Sequence, residues 1–338
     1  MPASALGAAD LPAPGAADRR GRDVRPFRNA RPPLTFDGGG RGDGRPRRQP
    51  RHGGEEPGRT FVNGSLRVAL LQGPAGLPGG VAESLKALDE AAREAAGQGA
   101  RLLVTSEMFL TGYALGETVR ELAEPAGGAS AQEVAAIAAR HRLAIVHGYP
   151  ERDGERVYNA ARLTGPDGTA LADYRKTHLF GAYEQQVFTP GERPLAQADL
   201  DGTRIGLLIC YDVEFPELVR AHALAGTELL AVPTALMRPY DFVPDTLVPT
   251  RAWENGFHIA YANRCGPEGE WDFAGRSCLA GPDGTVLARA GAGPRLLVAD
   301  ADPAATAAAR ADTPYLTDRR PELYGALTVG RAPRSATR

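Results

Sequence analysis

The chain has 338 residues and a formal net charge of -2, with 39 basic residues against 41 acidic ones. That length holds one large α/β domain and an appendage, and that charge exerts no overall pull toward nucleic acid or a membrane surface. No apolar run approaches the roughly 20 residues of a spanning helix, and residues 1–10 lack the charged start and apolar core of a secretory signal. The cysteines, Cys210, Cys265 and Cys278, are few, odd in number and far apart. They argue against a disulfide framework and for a reducing, cytoplasmic setting. With no CxxC and no His/Cys cluster, no structural metal is expected.

Residues 1–65 read as a separate extension. They are crowded with Gly, Pro and Arg, and carry twelve arginines against seven acidic residues. No hydrophobic period persists for a full element, so the segment is expected to be disordered. The sharper alternative is an RNA-binding arm, since Arg/Gly tracts can bind polyanions. The tract lacks interleaved aromatic residues, and no nucleic-acid partner is expected.

The folded domain is expected over 66–330. Residues 66–72 read as a strand, 81–96 as an amphipathic helix with Leu85, Leu88, Ala92 and Ala95 on one face, and 101–105 as a buried strand. A helix over 131–140 leads to a strand over 143–148. This alternation is the α/β pattern. Strands over 157–163 and 170–174 flank Gly165-Pro166-Asp167-Gly168, a hairpin turn. A long irregular stretch, 175–194, follows; such loops inside a domain are usually functional. Strand 205–209, helix 216–225, strand 228–232, helix 246–255 and strand 258–262 repeat the alternation. Gly281-Pro282-Asp283-Gly284 marks a second hairpin, 295–299 a last strand, and 313–318 the start of an extended tail. One hairpin in each half suggests a mirrored two-layer sheet with helices outside.

Three side chains stand at strand ends. Cys210 closes the run Ile205-Gly206-Leu207-Leu208-Ile209, just before a helix opened by Pro216. It reads either as a core cysteine or as a nucleophile at a strand-to-helix turn. Glu107 follows the strand ending at Thr105, and is either a surface carboxylate or a group facing the crevice beyond the strand ends. Lys176 follows the strand ending at Tyr174. Only Lys86 and Lys176 are lysines, and a lysine in so arginine-rich a chain suits a compact point charge in a tight pocket. Together the three define a chemistry. A Cys210 thiolate, its pKa lowered by the nearby cation, attacks an amide. Glu107 is the general base, and Lys176 holds the oxyanion with the backbone N–H of Tyr211.

Glu107-Met108-Phe109-Leu110-Thr111-Gly112-Tyr113, Tyr174-Arg175-Lys176-Thr177-His178-Leu179-Phe180 and Cys210-Tyr211-Asp212-Val213-Glu214-Phe215-Pro216-Glu217 resemble the nitrilase superfamily of carbon–nitrogen hydrolases. The resemblance runs from about residue 66 to about residue 327. It implies a four-layer α-β-β-α sandwich, a Glu-Lys-Cys triad, no cofactor, and homodimers or larger homo-oligomers. It also implies a second acidic residue eight positions after the lysine. Glu184 matches that place and is assigned to positioning substrate. Within the superfamily the chain is most similar to amidases of the 5-aminopentanamidase and R-stereoselective types, on His178-Leu179-Phe180-Gly181, Pro233-Thr234-Ala235, Tyr261-Ala262-Asn263-Arg264-Cys265-Gly266 and Pro314-Tyr315-Leu316-Thr317-Asp318. The implied substrate is a small primary aliphatic amide. N-carbamoyl amino acid hydrolysis and nitrile hydrolysis are alternatives with the same triad. Arg238 departs from the pattern, since an arginine lining the pocket repels a cationic substrate. Cys265 and Cys278 read as structural.

Overall fold

The computed structural model describes residues 64–328. The expected extension lies outside the described residues, apart from residues 64 and 65. So does the arm on which polyanion binding rested. No helix among the described residues is long and apolar enough to cross a membrane.

The first half runs β1 (Leu66–Gln72), α1 (Val81–Gly97), β2 (Leu102–Val104), α2 (Val119–Leu122), α3 (Ala129–His141), β3 (Ala144–Asp153), β4 (Arg156–Thr164) and β5 (Ala170–Arg175). A short helix, α4 (Gly181–Val187), then crosses the stretch expected to be irregular. The second half runs β6 (Gln197–Leu200), β7 (Thr203–Leu207), α5 (Pro216–Leu224), β8 (Leu229–Thr234), α6 (Val248–Asn255), β9 (His258–Asn263), β10 (Cys265–Glu268), β11 (Trp271–Ala274), β12 (Cys278–Ala280) and β13 (Val286–Arg289). It ends with β14 (Arg295–Ala301), α7 (Pro303–Asp312) and α8 (Tyr315–Asp318).

Two six-stranded sheets result, ordered β14-β1-β2-β3-β4-β5 and β13-β12-β9-β8-β7-β6. In each sheet three neighbouring strands are parallel, β1-β2-β3 and β7-β8-β9, and the remaining pairings are antiparallel. The period of two along a strand builds the layers. Val68, Leu70, Leu102, Val104, Ala144 and Val146 enter the core shared with the second sheet. Their neighbours Ala69, Leu103 and Ile145 pack with Leu88 and Ala92 of α1 and Val134 and Ile137 of α3. Helices α5 and α6 cover the second sheet with Val219, Ala223, Val248 and Ala252. The four-layer sandwich is therefore the observed architecture.

One expectation, the extended tail from 313, is corrected, and two elements are additions to those expected. The tail after β14 is helical, because Asp302 caps α7 at Ala304 N and Pro303 occupies its first turn. Tyr315–Asp318 is helical as well, rather than extended. The chain between β9 and β12 forms the two-stranded β10–β11 sheet, where no strand was expected.

Candidate active site

Each of the three strand ends is bent by a specific device. After β2, Thr105 N still donates to Val146 O of β3 at 2.9 Å, and Glu107 N crosses to Thr234 O at the end of β8, 3.3 Å away. The turn then passes through Met108 at φ 51. It lies so close to β3 that a Cβ on Gly148 would stand 2.6 Å from Met108 N and 2.9 Å from Glu107 Cα. Only glycine fits there. Lys176 is held by its own backbone, donating to Asn159 O and accepting from Gly191 N, both at 2.8 Å. β7 ends at Leu207, and Leu208 N stays pinned to Ala231 O at 3.1 Å. Cys210 then takes φ 47, in the sparsely populated left-handed region, and opens a 3₁₀ segment over Cys210–Glu214. Tyr211 N–H lies in the first turn of that segment, where N–H groups have no partner inside the helix.

The first two of these turns, with helix α4, deliver three charged side chains to one buried point. Glu107, Lys176 and Glu184 are 0%, 1% and 0% exposed. Lys176 Nζ donates to Glu107 Oε1 at 2.7 Å and to Glu184 Oε1 at 2.6 Å. The two carboxylates are differently satisfied. Glu184 Oε1 also accepts from Tyr113 OH at 2.7 Å, and its Oε2 accepts from Phe180 N at 2.7 Å. Glu107 Oε1 accepts from Lys176 and from Asn159 Nδ2 at 2.6 Å, whereas its Oε2 is buried with no hydrogen-bond partner among the described residues. Burial pushes the Glu107 carboxyl up to about 7 against the pull of Lys176. Lys176 is held well above its usual range by Glu107 and Glu184, which outweigh its burial.

Cys210 is 8% exposed. Burial, then the Glu107 carboxylate, raise its thiol well above the usual value, and Lys176 offsets only part of this. The expected lowering of the Cys210 pKa by the nearby cation is corrected: burial and the Glu107 carboxylate raise it by more than Lys176 lowers it.

Three residues that the sequence reading passed over hold the site. Asn159, in the middle of β4, and Tyr113, at the end of the Glu107 motif, satisfy the carboxylates as described. Asp212 joins the Lys176 loop to the Cys210 turn. Fully buried, it accepts from Tyr174 OH at 3.0 Å, Thr177 Oγ1 at 2.8 Å, His178 N at 2.9 Å and Ile209 N at 3.3 Å. A buried Asn or Asp inside apolar strands signals such a network, because each buried polar group needs a partner. The β10–β11 sheet braces the site from the other half. Its Glu268 accepts from Tyr113 N and from Ala114 N, and pairs with Arg264.

A cavity of about 570 Å³ opens next to the turns that follow Lys176 and Cys210, lined in part by Thr177, His178, Phe180, Phe188, Tyr211 and Phe215; the side chains of Glu107, Lys176, Glu184 and Cys210 do not line it. Arg238 is turned to acidic partners instead, with its guanidinium 3.6 Å from Asp241 and 3.4 Å from Asp272. Cys265 and Cys278 are buried, and burial pushes the Cys278 thiol up to about 12.

A four-layer α-β-β-α sandwich with a buried Glu-Lys-Glu cluster beside a cysteine turn is the architecture of an amide-cleaving hydrolase. The chain belongs to the carbon–nitrogen hydrolase family, which it matches over residues 67–311, and thus to the nitrilase superfamily. Among its relatives is a protein of Pseudomonas protegens described as a hydrolase in the pqqF 5′ region, 48% identical over 78% of this chain and 92% of the relative. An (R)-stereoselective amidase of Pseudomonas sp. is 38% identical over 78% of this chain and 94% of its own. Among solved structures, an amidase from Nesterenkonia sp. superposes with a TM-score of 0.72 at 39% identity, covering 80% of this chain and 99% of that one.

Proposed function

We propose that the protein hydrolyses a small primary aliphatic amide to a carboxylic acid and ammonia through a thioester on Cys210. The observation that carries this reading is the unequal pair of carboxylates. Glu184 is saturated by donors, while Glu107 keeps one buried oxygen without a partner among the described residues.

Glu107 Oε2 takes the thiol proton as the Cys210 sulfur attacks the amide carbon. The carbonyl π electrons move to oxygen, and Lys176 Nζ and Tyr211 N–H hold the oxyanion. The electrons return, the C–N bond breaks, and the proton on Glu107 passes to the departing nitrogen, giving ammonia and a thioester. Water then attacks the thioester, losing a proton to Glu107. The C–S bond breaks, and that proton returns to sulfur as the acid leaves. A carboxyl with a pKa of about 7 suits both directions of transfer near neutral pH. Glu184 fixes the ammonium of Lys176 and is a positioning residue.

Two findings support an amide substrate over a carbamoyl compound or a nitrile. The relatives of the chain include an (R)-stereoselective amidase. Variants of the Nesterenkonia amidase are recorded in complex with acrylamide and with butyramide. An ω-amino amide such as 5-aminopentanamide fits the finer resemblance, and the position of the Arg238 guanidinium, 3.6 Å from Asp241 and 3.4 Å from Asp272, supports that reading.

The test is ammonia release by the purified protein from hexanamide, 5-aminopentanamide, 4-guanidinobutanamide, an amino acid amide, N-carbamoyl-β-alanine and an aliphatic nitrile. Turnover of amides, with an acyl adduct on Cys210 seen by mass spectrometry, is the expected result. Turnover of only the carbamoyl compound or only the nitrile overturns it.

A further inference from the structure

One carboxylate brackets both catalytic turns without touching the groups that react. Asp212 is fully buried and accepts five donors: Tyr174 OH at 3.0 Å and Ile209 N at 3.3 Å on Oδ2, and Thr177 Oγ1 at 2.8 Å, His178 N at 2.9 Å and His178 Nδ1 at 3.0 Å on Oδ1. Thr177 and His178 directly follow Lys176, and Ile209 directly precedes Cys210. Burial, then the Asp212 charge, hold the Tyr174 phenol well above its usual value, so it stays a donor. Among the described residues no hydrogen bond or ion pair joins the Asp212 carboxylate to Glu107, Lys176, Glu184 or Cys210.

The same residue fixes the peptide groups around the nucleophile. Asp212 N donates to Ile209 O at 3.0 Å while its carboxylate takes Ile209 N, so one residue holds both backbone groups of Ile209. Between those contacts lies Cys210 at φ 47, a backbone state that persists only where its surroundings over-determine it. The N–H of Tyr211, an oxyanion donor of the proposed reaction, lies inside the same turn. A second contact joins the turns on the cavity side: the His178 ring stacks on Phe215 at 3.8 Å and 19°. Phe215 directly follows the 3₁₀ segment. The Lys176 loop and the Cys210 turn are thus tied to each other at one polar point and one aromatic point.

We infer that Asp212 is a positioning residue for the oxyanion: it sets the Lys176 ammonium and the Tyr211 N–H, one from each turn, at a fixed spacing around Cys210 Sγ. Donors placed before the charge develops need no reorganisation when it does. A change in that spacing slows formation and breakdown of both tetrahedral intermediates. It leaves substrate uptake and the reactivity of the sulfur itself in place. The inference rests on the amidase reading and adds to it a residue that acts only through others.

The experiment uses wild type, Asp212→Asn and Thr177→Val as the full chain. It measures kcat and KM on the amide of the panel that wild type turns over fastest, the rate of Cys210 modification by methyl methanethiosulfonate, and the urea midpoint. The thiosulfonate is attacked at sulfur and develops no oxyanion. Asn is nearly isosteric with Asp, but on either side its NH2 faces a backbone N–H, that of His178 or that of Ile209, which then loses its bond. Asp212→Asn is expected to lower kcat on the order of 10²-fold, the scale of a lost oxyanion donor, with KM and the thiosulfonate rate within about threefold of wild type. Thr177→Val removes one donor and keeps both backbone bonds, so kcat should fall about three- to tenfold. It carries the test if Asp212→Asn does not fold. The inference is overturned by a kcat within about twofold of wild type in Asp212→Asn, or in Thr177→Val where Asp212→Asn does not fold. A thiosulfonate rate that falls as far as kcat also overturns it, since that marks a site disrupted as a whole. These results leave the amidase reading standing. A wild type that turns over no amide overturns both.

Discussion

The two halves of the sandwich use the same parts for different ends. Each has three parallel strands followed by an antiparallel hairpin closed by Gly-Pro-Asp-Gly. The hairpins match in detail. Asp167 accepts from Thr169 N at 3.0 Å and Oγ1 at 2.6 Å, and Asp283 accepts from Thr285 N and Oγ1 at the same distances. The chemistry does not match. The first half supplies Glu107 and Lys176, the second the thiol. The halves also part company where the hairpin strands lengthen. β3 and β4 run unbroken for 10 and 9 residues. Their counterparts break at Arg264 and at 275–277, because the Asn263 side chain takes the ladder's place, bonding Leu236 N at 2.7 Å, Leu236 O at 3.2 Å and Gly275 O at 2.7 Å. The freed segment becomes β10–β11, and its Glu268 clamps the Glu107 loop. The repeated frame gives rigidity, and function enters where the repetition fails.

The largest effect should separate two thiols of the second half. Cys210→Ala is expected to lower ammonia release on the order of 10⁴-fold or more, as loss of a nucleophile does, with an unchanged melting profile. Cys278→Ala, at the start of the buried strand β12, should retain turnover and lose stability instead. Equal activity losses would erase the distinction between them.

Next comes the base in the first half. Glu107→Gln should cost about 10²- to 10⁴-fold in kcat/KM. In the wild type, kcat/KM should rise with pH and level off above about 7, since the base must be ionised. Stability should run the opposite way. The Glu107 carboxyl is raised in the folded state from 4.5 to about 7, so the native protein holds a proton that the unfolded chain has lost. Stability therefore falls as pH climbs between those values. Denaturant titrations of wild type and Glu107→Gln across pH 4.5–7.5 check this, and an identical slope in both would remove Glu107 as the source.

Two glycines sharpen the comparison further. At Gly148 an added Cβ meets backbone on every side: Met108 N at 2.6 Å, Ser106 O at 2.7 Å and Glu107 Cα at 2.9 Å. Gly148→Ala should cost about 1–3 kcal/mol and most of the activity, because the Glu107 turn must move. At Gly206 in β7 the Cβ meets the side chains of His222 and Thr227. Side chains can give way, so Gly206→Ala should lose stability with a smaller loss of rate. Urea melts and rates on the pair distinguish the two.

How much of this was legible in the sequence follows from where each signal sits. Glu107, Lys176 and Cys210 each follow a short apolar run, so strand ends and the scarcity of lysine pointed to them. Glu184 lies on a seven-residue helix without a hydrophobic period and emerged only through resemblance. Asn159, Tyr113 and Asp212 act through partners 25 to 71 residues away, which spacing does not encode. Cys265-Gly266-Pro267-Glu268 reads as a loop, since Gly and Pro are poor strand residues, and its ladder depends on the Asn263 break. Helix α7 was readable in principle from Asp302 and Pro303, but its alanines give little amphipathic contrast. The expected lowering of the Cys210 pKa failed because it counted one neighbouring cation and missed the burial of the thiol and the carboxylates that share that cation.

The smallest effect tests the frame itself. Asp167→Ala and Asp283→Ala each remove the acceptor of one turn at an exposed site, so each should lower stability only slightly. The bond lengths are the same, and both turns rest against a covering helix, Gly168 at Ala135 of α3 and Gly284 at Trp253 of α6. The two losses should therefore match and add in the double variant, because the sites share no partner. Neither should change the ratio of rates for any two amides. If Asp283→Ala alone altered kcat, the second sheet would be transmitting strain to the Cys210 turn, and the division between a passive repeated frame and an active broken one would have to be redrawn.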